Sequence, residues 1–213
     1  MKTDLHTESA FESAIADHLS AHGYLEGSPD DFDQERCLFQ DDLFTFIQET
    51  QPKVWDSLAS LHGDDRVRAT HTSPLRTIIL DALVKTLVSQ GTLDVLRHGF
   101  KVYGKKIHMA FFKPAFGLNP EATARYAMNR LTVTRQVEYL KGDPRDPGIG
   151  RPDIVISLNG LPIITMELKN QMTGQNVEHA RKRYTVSRKR GAFYRAIVLC
   201  PLRRETGAHL REP

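Results

Sequence analysis

Residues 151–169 read RPDIVISLNGLPIITMELK, and the fold turns on how this stretch pairs with itself. Two β-branched, apolar runs flank Asn159-Gly160, the strongest short-range signal for a β-hairpin. Three ionisable groups sit on its arms: Asp153 opens the first, while Glu167 and Lys169 close the second. Residues two apart on a strand share a face, so Glu167 and Lys169 point the same way. Two carboxylates meeting at one sheet edge repel by roughly 4 kcal/mol at about 4 Å and an effective dielectric of about 20. A divalent cation removes that cost, so the hairpin is a candidate metal site with a lysine beside it.

Register follows from the side-chain pattern. Ile154, Ile156 and Leu158 make one apolar face, matched by Ile164, Met166 and Leu168. Even-numbered residues must then pair with even, which a two-residue turn at Asn159-Gly160 does not allow, because a one-residue slip swaps faces. A bulged three-residue loop, Leu158-Asn159-Gly160 with Gly160 left-handed, is the expected solution.

A chain of 213 residues with 40% hydrophobic and 26% charged residues fits one soluble globular domain. The start, MKTDLHTESA, is polar and no apolar run approaches membrane length, so neither a signal peptide nor a span is expected, and the location is read as cytoplasmic. Cys37 and Cys200 lack metal spacing and are read as reduced thiols. The net charge of +3 conceals an asymmetry: from Asn170 onward ten Lys/Arg stand against three Asp/Glu, leaving everything before it negative by four. A basic end directly after the hairpin suits a polyanion.

Thr7 is placed to cap a helix carrying Phe11, Ile15 and Leu19 and stopping at Gly23. Glu8 and Glu12 share a side of it, four apart, where the helix dipole by itself favours acids. Residues 24–52 read as irregular around a short helix near Phe39–Phe46, and Trp55, Leu58 and Leu61 suggest another. Thr72-Ser73-Pro74 starts a helix running to Gly91, and Thr92 a short one through Leu96. Extended segments near Phe100–Tyr103 and Ile107–Phe112, a helix from Asn119-Pro120 through Tyr126, and a strand over Leu131–Val137 follow. Beyond the hairpin, Val177–Tyr184 reads as a basic helix and Tyr194–Leu199 as a strand. This order predicts an α/β fold with helices flanking a mixed central sheet.

A hard cation such as Mg²⁺ takes oxygen ligands and keeps several waters. Asp153 and Glu167 offer one carboxylate each, and Lys169 is a compact cation to hold a water or balance developing charge. A plain cross-strand salt bridge, worth about 0–1 kcal/mol, would use the same residues. His18 and His22 are four apart but have no third zinc ligand nearby in a motif, and His179 reads as a surface histidine. No GxxxxGK[ST] run occurs, so no nucleoside triphosphate is expected on this chain.

Several runs together resemble one family. Arg151-Pro152-Asp153-Ile154-Val155, Asn159-Gly160-Leu161-Pro162 and Glu167-Leu168-Lys169-Asn170 are similar to the nuclease motif of the restriction (R) subunit of type I restriction-modification enzymes. Thr7-Glu8, Phe11-Glu12, Gly23-Tyr24, residues 91–99, Phe112-Lys113-Pro114, Asn129-Arg130-Leu131 and Gln136-Val137 extend the resemblance over about residues 7 to 184. It implies a restriction-endonuclease-like fold of the PD-(D/E)xK superfamily over residues 1–184, cutting double-stranded DNA with Mg²⁺. The metal would be held by Asp153 and Glu167, assisted by Lys169, with Glu8 as the best match for a further helical acid and Glu12 as the second. A Gln-x-x-x-Tyr motif found in some members is incomplete: Tyr184 is present, position 180 is Ala, and Gln175 lies elsewhere. Arg181, Lys182, Arg183 and Tyr184 are the expected DNA contacts.

Residues 185–213, a strand and tail, depart from the family's pattern. The family's subunit continues into ATP-driven translocase domains that this sequence lacks, so ATP is expected to serve the full-length enzyme alone. Methyltransferase and specificity subunits are the implied protein partners. A catalytically silent DNA- or subunit-binding module, or a stand-alone nuclease of the superfamily, are the alternatives.

Overall fold

The computed structural model describes residues 8–61, 73–139, 151–169 and 198–203. Helix α1 (Glu8–Ala21) carries the expected apolar stripe and ends where Gly23 turns left-handed, φ 91°, with the Tyr24 amide donating back to the Leu19 carbonyl at 3.2 Å. Strand β1 (Leu25–Gly27), a turn of 3-10 helix (Pro29–Asp31), and strands β2 (Phe32–Asp33) and β3 (Leu38–Phe39) follow. Four helices come next: α2 (Gln40–Thr50), α3 (Pro52–Leu61), α4 (Pro74–Gln90) and α5 (Thr92–His98). Pro74 opens α4 and Gly91 closes it, as the sequence signals require. A hairpin of β4 (Phe100–Val102) and β5 (Lys105–Ile107) leads to α6 (Pro120–Ala127), where the Asn119 side chain caps the Ala122 amide at 3.1 Å. Then come β6 (Leu131–Arg135), β7 (Ile154–Leu158), β8 (Leu161–Lys169) and β9 (Val198–Arg203).

The main sheet runs β1-β6-β7-β8-β9, with antiparallel pairs inside and a parallel pair at each edge. The expected mixed α/β architecture is therefore what the chain adopts. Two short segments differ from expectation. The second arm of the small hairpin is Lys105–Ile107, not Ile107–Phe112, because Tyr103 and Gly104 both take left-handed conformations (φ 46° and 75°) and turn the chain in two residues. The last strand is Val198–Arg203, displaced toward the C-terminus from the expected Tyr194–Leu199; residues 194–197 lie outside the described residues. Pro201 falls inside it, opposite Glu167, and β9 is an edge strand, where a missing N–H is tolerated.

The central hairpin keeps the expected parity but reaches it by another route. Asn159 and Gly160 form a two-residue turn, both left-handed (φ 52° and 82°), so Leu158 pairs with Leu161 and Ser157 with Pro162. The register then shifts: Ile156 pairs with Ile164, Val155 with Thr165 and Ile154 with Met166. The extra residue is Ile163, a bulge in β8. Its place has a physical reason, since the neighbouring Pro162 has no N–H to give the ladder.

Three apolar clusters hold these pieces. On one face of the sheet Phe11, Ile15, Ala16 and Leu19 of α1 pack on Val133, Ile154, Ile156 and Leu168. Phe32, Phe39, Val137 and Val155 form a smaller cluster. The largest gathers α2 to α5 and the small hairpin around the turn end of β7 and β8, reaching Leu161. Asn159 is wholly buried there with its amide saturated: Oδ1 accepts from the Arg130 amide at 2.7 Å, and Nδ2 donates to the Met109 carbonyl at 2.9 Å and to Asn129 Oδ1 at 3.0 Å. Gly160 is seated against the start of α2, where the Phe39 amide donates to its carbonyl at 2.9 Å.

Candidate active site

At the far end of the hairpin from that turn, α1, β1, β6 and the start of β7 enclose an open cleft of about 1000 Å³. Glu12, Glu26, Arg135, Gln136 and Asp153 bring charge and hydrogen-bonding groups to its walls, and Val133 and Ala16 form apolar parts of the lining.

Asp153 reaches the cleft through a local irregularity. Its amide donates to the Met166 carbonyl at 3.1 Å, although Met166 is also the residue opposite Ile154. Asp153 lies in a bend just before β7, outside the regular ladder. Asp153 Oδ2 accepts from the Leu168 amide at 2.5 Å, which fixes the carboxylate against β8.

Gln136 follows β6 in a left-handed conformation, φ 55°, held by its own amide bonding to the Asp153 carbonyl at 2.9 Å. Its Nε2 donates to Glu12 Oε2 at 2.8 Å and to Asp153 Oδ1 at 3.3 Å. These two bonds from one nitrogen bound the separation of the carboxylate oxygens at about 6 Å, where two charges repel by about 3 kcal/mol at an effective dielectric of about 20. One neutral amide, giving one N–H to each acid, therefore holds them side by side. Arg135 adds positive charge: its Nε is 4.0 Å from Glu12 Oε1 and its Nη1 donates to Ser13 Oγ at 2.9 Å. Gly27 leaves the cleft wall thin for a steric reason. A Cβ there would meet Thr134 Oγ1 at 2.4 Å and Thr132 Cγ2 at 2.7 Å.

The sequence-predicted residues distribute as follows. Asp153 is in the cleft with Glu12. Glu167 is buried on β8 beside Leu168 and does not line the cleft. Lys169 ends β8 opposite Arg203, and its side chain lies outside the described residues, as does that of Glu8 at the start of α1. Arg181, Lys182, Arg183 and Tyr184 also lie outside them. Among the described residues no group of three His, Cys, Asp or Glu gathers to hold a metal ion. His18 and His22 stack at 4.2 Å, with His22 Nδ1 2.7 Å from the His18 carbonyl. The pair Glu12 and Asp153 fits Mg²⁺, which usually takes one or two carboxylates and keeps its remaining positions for water and substrate phosphate. In the sequence Gln136 stands out only within the family resemblance, as part of Gln136-Val137, and not as a site residue, because a left-handed glutamine leaves no compositional signal.

The fold is a mixed α/β sheet with Glu12 and Asp153 paired at the open end of its central hairpin. The family model of the type I restriction enzyme R protein N terminus matches residues 6–198, and the chain belongs to this family. The match runs past Tyr184, where the resemblance legible in the sequence fades. The family makes the chain a component of a multi-subunit restriction enzyme. No curated protein and no solved structure matches it. Among the described residues no helix is long and apolar enough to cross a membrane.

Proposed function

We propose that the chain is the Mg²⁺-dependent endonuclease part of a type I restriction enzyme, hydrolysing phosphodiester bonds of double-stranded DNA. The observation that carries the reading is the pair Glu12 and Asp153, brought together from α1 and β7 and bridged by Gln136 in an open cleft. Glu12 and Asp153 would hold the cation, joined by Glu167 and Glu8 as the resemblance implies. Bound there, Mg²⁺ supplies polarisation of the scissile phosphate and a more acidic water, worth several kcal/mol of transition-state stabilisation. Gln136 keeps both carboxylates aimed into the cleft. Arg135 offers a fixed cation for a phosphate oxygen, and Lys169 holds the attacking water or balances charge on the pentacovalent state. Arg181, Lys182, Arg183 and Tyr184 contact the DNA backbone. Phosphate contacts carry little sequence information, so target choice falls to a specificity subunit acting with the methyltransferase.

The rival reading is a catalytically silent module that binds DNA or partner subunits, favoured by Glu167 lying buried on β8 and not among the residues that line the cleft. Cleavage by the assembled restriction complex separates the two. Glu167→Ala and Lys169→Ala abolish DNA cutting while DNA binding and ATP hydrolysis by the complex persist. Cutting that survives either change refutes the catalytic assignment. Calorimetric titration of the chain with Mg²⁺ gives heat that Asp153→Ala removes; equal heats favour the silent module.

A further inference from the structure

Residues 100–128 carry a surface unlike the rest of the described chain. Tyr103, Phe112, Phe116 and Tyr126 are the exposed aromatic side chains among the described residues, 41–75% exposed. The same stretch holds five Lys/Arg against one acid, Glu121, although the chain before Asn170 is net negative by four. Arg125 already pairs with that acid at 2.5 Å. Rings and cations are interleaved along the sequence, with Phe112, Lys113 and Phe116 exposed within five consecutive residues.

Contacts between three pieces of chain hold this stretch together around Phe111, next to Phe112. Asn129, just after α6, clamps the loop that follows β5: its Oδ1 accepts from the Phe111 amide at 3.2 Å and its Nδ2 donates to the Phe111 carbonyl at 2.6 Å. The Arg125 guanidinium stands 5.7 Å from the Phe111 ring centre, and the His108 ring 5.8 Å from it. The His108 imidazole is held below its ordinary pKa first by burial, then by Lys106 of β5 and Arg125 of α6, two cations near one ring.

A polyanion satisfies the lysines but gives exposed rings nothing to stack on when its bases are paired. Unpaired bases offer both a charged backbone and open π-faces, the combination that single-strand-binding surfaces use. We propose that this surface binds single-stranded nucleic acid, with Phe112 and Phe116 as stacking platforms and Lys106 and Lys113 along the phosphates. It is separate from the cleft. Asn129 accepts from Asn159 at the hairpin turn, so at a strand rise of about 3.3 Å per residue the face lies roughly 20 Å from Asp153. The inference goes beyond the proposed cleavage chemistry and does not require it.

Fluorescence anisotropy with a labelled fifteen-nucleotide oligothymidylate and a fifteen-base-pair duplex, in EDTA, tests it on the full chain. The single strand is expected to bind more tightly than the duplex. Phe112→Ala and Phe116→Ala each weaken the single strand roughly tenfold and leave the duplex nearly unchanged. Lys106→Ala and Lys113→Ala each reduce the slope of log K against log salt by about 0.7. These side chains are exposed, so circular dichroism should show unchanged folding. Equal affinity for the two nucleic acids, or ring variants that bind the single strand like the parent chain, overturns the proposal. Absence of single-strand binding also overturns it, and assigns the face to a protein partner. DNA cutting by the complex, measured with the ring variants, tells this failure from a failure of the nuclease reading, because the cleft is untouched by them.

Discussion

The two ends of the β7–β8 hairpin make opposite use of polar groups. At the turn end, Asn159 is buried with its side-chain amide fully paired, and Gly160 lies against the start of α2. At the open end, two acids face a cleft and share one amide at 2.8 and 3.3 Å. A saturated buried network rigidifies and specifies; a pair of like charges held by one neutral donor stores repulsion that a cation relieves. The first end anchors the hairpin so that the second can be poised.

The comparison is most sharply tested by removing one acid. Asp153→Ala is expected to lower DNA cutting about a thousandfold, near 4 kcal/mol of transition-state stabilisation. Its stability loss in urea should be about 1 kcal/mol, for the hydrogen bonds from Leu168 and Gln136. A stability loss as large as the catalytic one would make both ends structural. Gly160→Ala should show the reverse pattern. The new Cβ would meet the Phe39 carbonyl at 2.4 Å and the Leu43 amide nitrogen at 2.8 Å, in a left-handed backbone, and about 3 kcal/mol should be lost. Cutting per folded molecule stays near normal.

Gln136→Ala is a smaller perturbation. It leaves Glu12 and Asp153 without their shared donor, costing about 1 kcal/mol in metal-free buffer. Mg²⁺ should restore more of that loss than it adds to the parent chain, read as the difference in melting temperature with and without the ion. A variant no more responsive to Mg²⁺ than the parent would remove Gln136 from the site. The smallest effect concerns His108, whose imidazole sits below the ordinary value of 6.5 because of burial, Lys106 and Arg125. The unfolded chain then binds more protons at this position, so the stability contributed here is full above pH 6.5 and is lost as pH falls from there through the folded value. His108→Gln should flatten that decline in a denaturant series across pH.

Much of the scaffold was legible because single residues punctuate it. Gly23, Pro74, Gly91 and the Asn119 cap lie at helix boundaries, and Asn159-Gly160 announces the hairpin. Alternation along β7 and β8 was enough to demand a register shift, but not to locate it; the shift depends on Pro162 and on packing of Ile163 between two clusters. Strand β1 was invisible for a different reason. Leu25–Gly27 is three residues with no alternating pattern, and it is a strand only because β6 lies parallel beside it. The site divides the same way. Asp153 stood out as an acid at a strand start, whereas Glu12 by itself looked like any acid near a helix N-terminus and ranked second to Glu8 in the resemblance; Gln136 is what ties it to Asp153.

Ile163 makes the length of β8 a phase setting. Deleting that one residue would leave the turn and its anchorage intact while rotating Thr165, Glu167 and Lys169 by half a pleat, trading polar for apolar partners along the remaining arm. A single lost codon at this point would be felt at the cleft without touching any residue in it, so the spacing between Gly160 and Glu167 carries as much information as the residues themselves.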